Sequence, residues 1–207
     1  MDEFIASLEA ALREKSPELL PLFTSIAAEA KFGNALLRED FSRLPAGASV
    51  LEVGGGTMLL SCQLAADGFL VTSVEPTGEG FGEFEKLRAF ILAHAPAQPR
   101  IAACGIEEFM SDAHFDFAFS INVMEHVRDW RLAITRVAAV LKAGASYRFV
   151  CPNYLFPYEP HFNIPIVYSK ALTARLFAKK IRTASMQDAA GVWQSLNWID
   201  VPSLRRA

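Results

Sequence analysis

The stretch Ala48–Leu60, ASVLEVGGGTMLL, limits what this chain can fold into more than any other segment. Ser49, Val50, Leu51 and Val53 form a short, largely β-branched apolar run, which suits a parallel strand covered on both faces. Glu52 interrupts that run. A carboxylate is costly to bury there without a partner, so it is expected at the strand's carboxyl end, facing a polar ligand or backbone N–H groups. Gly54, Gly55 and Gly56 then permit positive φ and remove every Cβ, which lets a ligand approach the backbone before a helix opens near Thr57. A strand running through glycines into a helix reads as a cofactor site.

The glycine spacing narrows the cofactor. Dinucleotide folds carry G-x-G-x-x-G, whose last glycine allows close helix–strand packing. Counting from Gly54, this chain has Gly54, Gly56 and then Leu59, so the third glycine is missing. Beyond the turn, Met58, Leu59, Leu60, Leu64 and Ala65 recur at helical spacing up to Asp67-Gly68. A second strand, Phe69 to Val74, finishes at Glu75, where an acid in a doubly wound sheet accepts hydrogen bonds from the hydroxyls of a ribose.

The rest of the chain alternates in the same way. Pro76 to Gly82 reads as a glycine-rich loop, Phe84 to His94 as a helix and Arg100 to Cys104 as a third strand. Phe115 to Ser120 is a fourth strand and Trp130 to Leu141 an amphipathic helix stopped at Lys142-Ala143-Gly144. Ser146 to Cys151 is a fifth strand. Five strands alternating with helices predict an α/β fold, a doubly wound and mainly parallel sheet with right-handed crossovers. Three leading helices are expected over Asp2–Lys15, Pro17–Ala30 and Asn34–Leu44, covering the sheet or the cofactor cleft.

With 207 residues, 52% of them hydrophobic, the chain can bury one full core, in line with roughly 100–200 residues per domain. The expected divisions are an N-terminal helical cap over 1–44, a cofactor-binding core over 45–153, and an acceptor-side loop and C-terminal helix over 154–207, all in one globular unit. A formal net charge of −3 gives no basic surface for phosphate neutralisation, so no nucleic-acid partner is expected. Cys62, Cys104 and Cys151 never form C-x-x-C and read as free thiols in a reducing compartment, with no metal site. No apolar run reaches the ~18 residues of a membrane span, and the start MDEFIASLEAALREK lacks a signal-peptide pattern, so a cytoplasmic protein without a membrane partner is expected.

Two motifs carry a family resemblance over roughly Leu44 to Asn153. The pattern E-x-G-x-G at Glu52, Gly54 and Gly56 resembles motif I of the class I methyltransferases that use S-adenosylmethionine, in which many members have a further glycine where this chain has Met58. FDFAFSINVMEHVRDW, Phe115 to Trp130, is similar to the F-D-x-x-x-S-x-x-x-x-E-H-V-x-D segment of the small-molecule members. The resemblance implies a Rossmann-like methyltransferase fold and S-adenosyl-L-methionine as cofactor. It places Glu52 and Gly54 to Gly56 around the methionine end, Glu75 on the ribose and Ile106 with Glu107 at the adenine. Ser120 and Asn122 would line the reacting centre.

His126 and His161 are the candidate general bases toward a small-molecule methyl acceptor, should one be needed. His126 has the alternative role of capping or packing the following helix. After Pro152 the segment CPNYLFPYEPHFNIPIVYSK puts Tyr154, Tyr158, Glu159, His161 and Asn163 on a stiff aromatic wall where an acceptor would bind, or on a loop pinned by its own rings. A helix from Ser169 to Lys180 and a polar break follow. The family usually ends in a β-hairpin, for which only Val201 to Ala207 remain here; either the chain is shortened or another element covers the sheet edge, and an uncovered edge makes a homodimer a reasonable expectation. Two other readings stay open: a noncatalytic binding or assembly subunit with the same fold, and a nicotinamide-type Rossmann enzyme, to which Glu52 and Leu59 are unsuited.

Overall fold

The computed structural model describes residues 1–76, 82–184 and 189–206. Helix α1 (Asp2–Lys15) carries Asp2 and Glu3 at its positive end and Arg13 and Lys15 at its negative end, and it buries Ile5, Leu8 and Leu12. A 3-10 turn, Pro17–Leu19, leads into α2 (Leu20–Leu36) and then α3 (Arg38–Arg43). The second helix runs past the expected end at Ala30 and takes up the start of the third. No proline interrupts 31–36, and Gly33 continues the buried face of Phe23, Ala27 and Ala30.

The sheet is five-stranded. Its strands are β1 (Ser49–Val53), β2 (Leu70–Val74), β3 (Arg100–Ala102), β4 (Phe115–Ile121) and β5 (Leu141–Val150), in the order β3-β2-β1-β4-β5. β1 runs parallel to both β2 and β4, and β2 runs parallel to β3. This is the doubly wound arrangement, in which neighbouring strands β1 and β4 lead away in opposite directions around the sheet. Helices α4 (Leu59–Ala66), α5 (Gly82–His94) and α6 (Trp130–Val140) complete the alternation.

The strands depart most from the expected ranges at the end of β3 and the start of β5. β3 stops at Ala102, because the Cys104 N–H turns back to the Ala102 carbonyl. β5 starts at Leu141, directly after α6, and the Lys142 ammonium meets the Asp116 carboxylate of β4 at 2.7 Å. Asp116 also accepts from the Ser49 N–H and hydroxyl, both at 2.9 Å. The acid of the F-D pair thus ties the amino ends of β1 and β4 together, away from the glycines.

The leading helices cover the sheet. Phe41 of α3 packs its ring against Phe69, Phe117 and Phe119 with centroids 5.7, 5.8 and 5.7 Å away. Asp40 pairs with Arg148 of β5 at 3.1 Å. The strand β1 is buried on both faces, as its apolar run requires.

The chain divides into two compact units, Met1–Ser120 with Arg136–Arg148, and Ile121–Thr135 with Phe149–Ala207. The second has a core of its own: Phe162, Ile164, Ile181, Ala189, Trp193 and Leu196. Its helices are α7 (Lys170–Arg182), α8 (Ala189–Ser195) and α9 (Val201–Leu204). α7 begins where the Ser169 hydroxyl accepts the Leu172 N–H, and α9 where Asp200 accepts the Ser203 N–H. Among the described residues no strand of a terminal hairpin follows β5. Part of the expected glycine loop, 77–81, and the polar break at 185–188 lie outside the described residues.

Candidate functional site

The glycine turn is built from two different requirements. Gly54 and Gly56 take φ of 77° and 52°, the left-handed region that glycine enters without penalty. Gly55 is needed for space instead, since a Cβ there would lie 1.9 Å from the Ser73 hydroxyl and 2.9 Å from the Met58 sulfur. Met58 follows at φ 66° with its side chain fully buried, and α4 starts after it. A left-handed residue at this position is what the glycine of other motif I sequences would accommodate freely. Here a methionine takes the strain in return for its buried side chain.

Glu52 is 5% exposed, and its Oε2 accepts a short hydrogen bond from Ser61 of α4 and one of 3.3 Å from Ser73 of β2. Burial pushes its carboxyl pKa up to about 7, against the pull of the two hydroxyls. The partners of this carboxylate are therefore serines of the neighbouring strand and helix. Neither was singled out by the sequence reading; Ser73 pairs in register with Glu52 across β1 and β2, which only the sheet reveals.

Glu75 stands just past β2, where its N–H continues the ladder to the Ala102 carbonyl. Its Oε2 accepts the Gly56 N–H at 2.9 Å. Burial raises its pKa, while the Gly56 N–H and Arg88 act in the opposite direction. One loop over, Ile106 and Glu107 are both buried and lie in a turn closed by the Phe109 N–H on the Ile106 carbonyl. Arg136 holds that turn from α6 through a 3.1 Å bond to the Glu107 carbonyl. Ser120, fully buried near the end of β4, meets the Tyr147 hydroxyl of β5 at 3.0 Å. Glu52, Gly54 to Gly56, Glu75, Ile106, Glu107 and Ser120 all belong to the first unit, and β1 and β2 end beside their glycines and acids.

Asn122, His126 and His161 belong to the second unit. Asn122 has φ 53° and gives its N–H to the Val150 carbonyl at 2.8 Å. The turn after it is held by Asn197, whose N–H reaches the Glu125 carbonyl at 2.7 Å and whose amide nitrogen donates to Val127. That clamp carries no sequence signal, because the residues are remote in the chain. His126 does not cap α6. Asp129 does, accepting the Arg131 and Leu132 N–H groups at 2.9 and 3.1 Å.

The imidazole of His126 lies edge-to-face with that of His161, centroids 5.1 Å apart. Surrounding protein and then the His161 charge push the His126 pKa down, which weakens it as a base. His161 is the better base: its Nδ1 meets the Glu159 carboxylate at 2.6 Å, and that bond raises its pKa. Glu159 is fully buried, and its other oxygen accepts the Phe162 N–H at 2.8 Å. Of the aromatic wall, Tyr154 is buried and stacks on Trp198 at 5.2 Å, whereas Tyr158 is exposed and donates to Asn163 at 2.8 Å.

Comparison with known proteins gives three findings. A family model described as a methyltransferase domain matches residues 28–206. An uncharacterised protein of Mycobacterium tuberculosis, Rv1509, is 55% identical over all 207 residues, which cover 71% of its length. Among solved structures, phosphoethanolamine N-methyltransferase 2 of Haemonchus contortus, in complex with phosphomonomethylethanolamine and S-adenosylhomocysteine, aligns over 84% of this chain with a TM-score of 0.58 and 16% identity. At that identity the likeness concerns the fold, and the chain spans about a third of that enzyme, 35%.

Proposed function

Since the chain belongs to the methyltransferase-domain family, we propose that it transfers a methyl group from S-adenosyl-L-methionine to a small-molecule acceptor. The observation that carries this reading is the pairing of Glu75 with the glycine turn. The carboxylate lies against the Gly56 N–H at the ends of two adjacent parallel strands, an arrangement that supports an adenosine's ribose at this point. Its Oε1 would accept a ribose hydroxyl, and the left-handed glycines would bring backbone close to the cofactor's amino-acid end. Ile106, in a buried turn braced by Arg136, would pack on the adenine, with Glu107 beside it.

Glu52 has an indirect part in this scheme. With its Oε2 held by Ser61 and Ser73, it fixes the start of α4 relative to β2 and so shapes the turn between them. The cofactor would supply a methyl group on a positively charged sulfur. An acceptor's lone pair would take up that methyl group, the cofactor leaving as the neutral thioether, and the acceptor's proton would go to solvent or to a base such as His161. The chain's own contribution is chiefly alignment, and positioning of two reactants can supply ~7–11 kcal/mol of a barrier.

Calorimetric titration of the purified protein with S-adenosylhomocysteine, using NAD as the comparison ligand, tests this. Micromolar binding of the first alone is expected. Absence of any binding would move the protein to the noncatalytic, fold-retaining class, and preference for NAD would overturn the cofactor.

A further inference from the structure

Glu125, His126 and His161 bring a carboxylate oxygen and two imidazole nitrogens within 4.8 Å of one another. We propose that these three side chains form a binding site for a divalent first-row transition metal, with Glu159 as the positioning residue of His161. A single tetrahedral ion bound at about 2.0–2.2 Å holds its ligand atoms about 3.3–3.6 Å apart, so the three side chains would draw together by about an ångström as they close on it. Two imidazoles and one carboxylate are a donor set for zinc or iron(II), and three protein ligands leave coordination positions open for water or for an oxygen of a small molecule.

Three features of the surroundings support the site. Glu125 is fully buried while His126 is exposed, so an ion would reach the cluster from solvent on the histidine side and meet a carboxylate held in the protein. The Asn197 clamp on the 124–127 turn fixes the backbone that presents Glu125 and His126. The bond from Nδ1 of His161 to the buried Glu159 commits that nitrogen and leaves Nε2 for the ion, and Glu159 is itself anchored by the Phe162 N–H. A carboxylate behind a ligating histidine is the arrangement that orients the ring and increases its donor strength. Cysteine spacing gives no sign of such a site, and the expectation of no metal from it does not bear on these residues: His161 lies in a different loop from Glu125 and His126, and no short motif joins them.

The experiment uses the whole chain, stripped with a chelator and titrated calorimetrically with Zn²⁺, and with Mg²⁺ as control. Saturable uptake of one Zn²⁺ per chain is expected. Glu159→Gln should weaken it by about 10–100-fold, and His126→Ala and His161→Ala should each abolish it. His126 is exposed, so H126A should keep the parent's circular dichroism and melting temperature, which separates lost ligation from lost folding should H161A fail to fold. No saturable Zn²⁺ uptake, or parent-like uptake by H126A, would overturn the assignment, as would uptake of Mg²⁺ in preference to Zn²⁺. Titrating the same samples with S-adenosylhomocysteine keeps the two readings apart: metal uptake without cofactor binding leaves the metal site standing and removes the methyl-transfer reading.

Discussion

At the scale of single residues, three positions of the first unit have separable tasks. Glu75→Ala removes the proposed ribose acceptor and its bond to Gly56, so S-adenosylhomocysteine should bind about 1.5–3 kcal/mol more weakly by calorimetry, as for a hydrogen bond to a charged group. Unchanged affinity would mean the ribose lies elsewhere. Gly55→Ala acts on packing instead. Its new methyl collides with the Ser73 hydroxyl of β2 and the buried Met58 sulfur of the same turn, and urea unfolding should show a loss of about 1–3 kcal/mol. Met58→Gly sets two effects against each other: relief of left-handed strain, about 1–2 kcal/mol, and loss of a fully buried methionine, about 2–5 kcal/mol. The second is larger, so the glycine of other motif I sequences should destabilise this chain.

At the scale of elements, the sequence showed which segments are strands and helices better than where they stop. β1, β2 and β4 are dense in apolar, largely β-branched or aromatic residues, and that signal is local. The ends of α2 and β5 depend on what lies beside them. Gly33 continues α2 because its small size suits a buried face, and Leu141 to Ser146 extend β5 along β4, where Lys142 meets Asp116. Ser169 was legible as a boundary, and it caps α7. Ser169→Ala should cost about 1 kcal/mol, seen as faster hydrogen exchange of the first-turn amides of α7, while amides of β1 and β4 keep the parent's rates.

At the scale of the whole molecule, Glu52 links stability to pH. Its carboxyl titrates near 4.5 in an unfolded chain and at about 7 in the fold. Between those values the folded protein holds a proton that the unfolded chain has released. The contribution of Glu52 is therefore fully present below about pH 4.5 and is lost as pH rises through 7, a change of about 3 kcal/mol when complete. Urea unfolding of the parent and of Glu52→Gln at pH 5 and pH 8 checks this, with the difference between the two proteins shifting toward the glutamine variant at the higher pH. A constant difference would show that Glu52 does not titrate in that range. No helix among the described residues is long and apolar enough to cross a membrane.

What the sequence by itself determined is the strand–glycine–helix unit, the acid after the second strand and the alternation that makes a parallel sheet. Each depends on neighbours within a few positions, through β-branching, the freedom of glycine and the period of a helix. The tertiary structure decided which groups meet across the chain: Ser73 on Glu52, Tyr147 on Ser120, Asn197 on the 124–127 turn, and His161 beside Glu125 and His126. Those contacts join residues on separate strands and loops, and no local pattern encodes them, because side chains from distant segments become neighbours only when the sheet order and the loop paths are set.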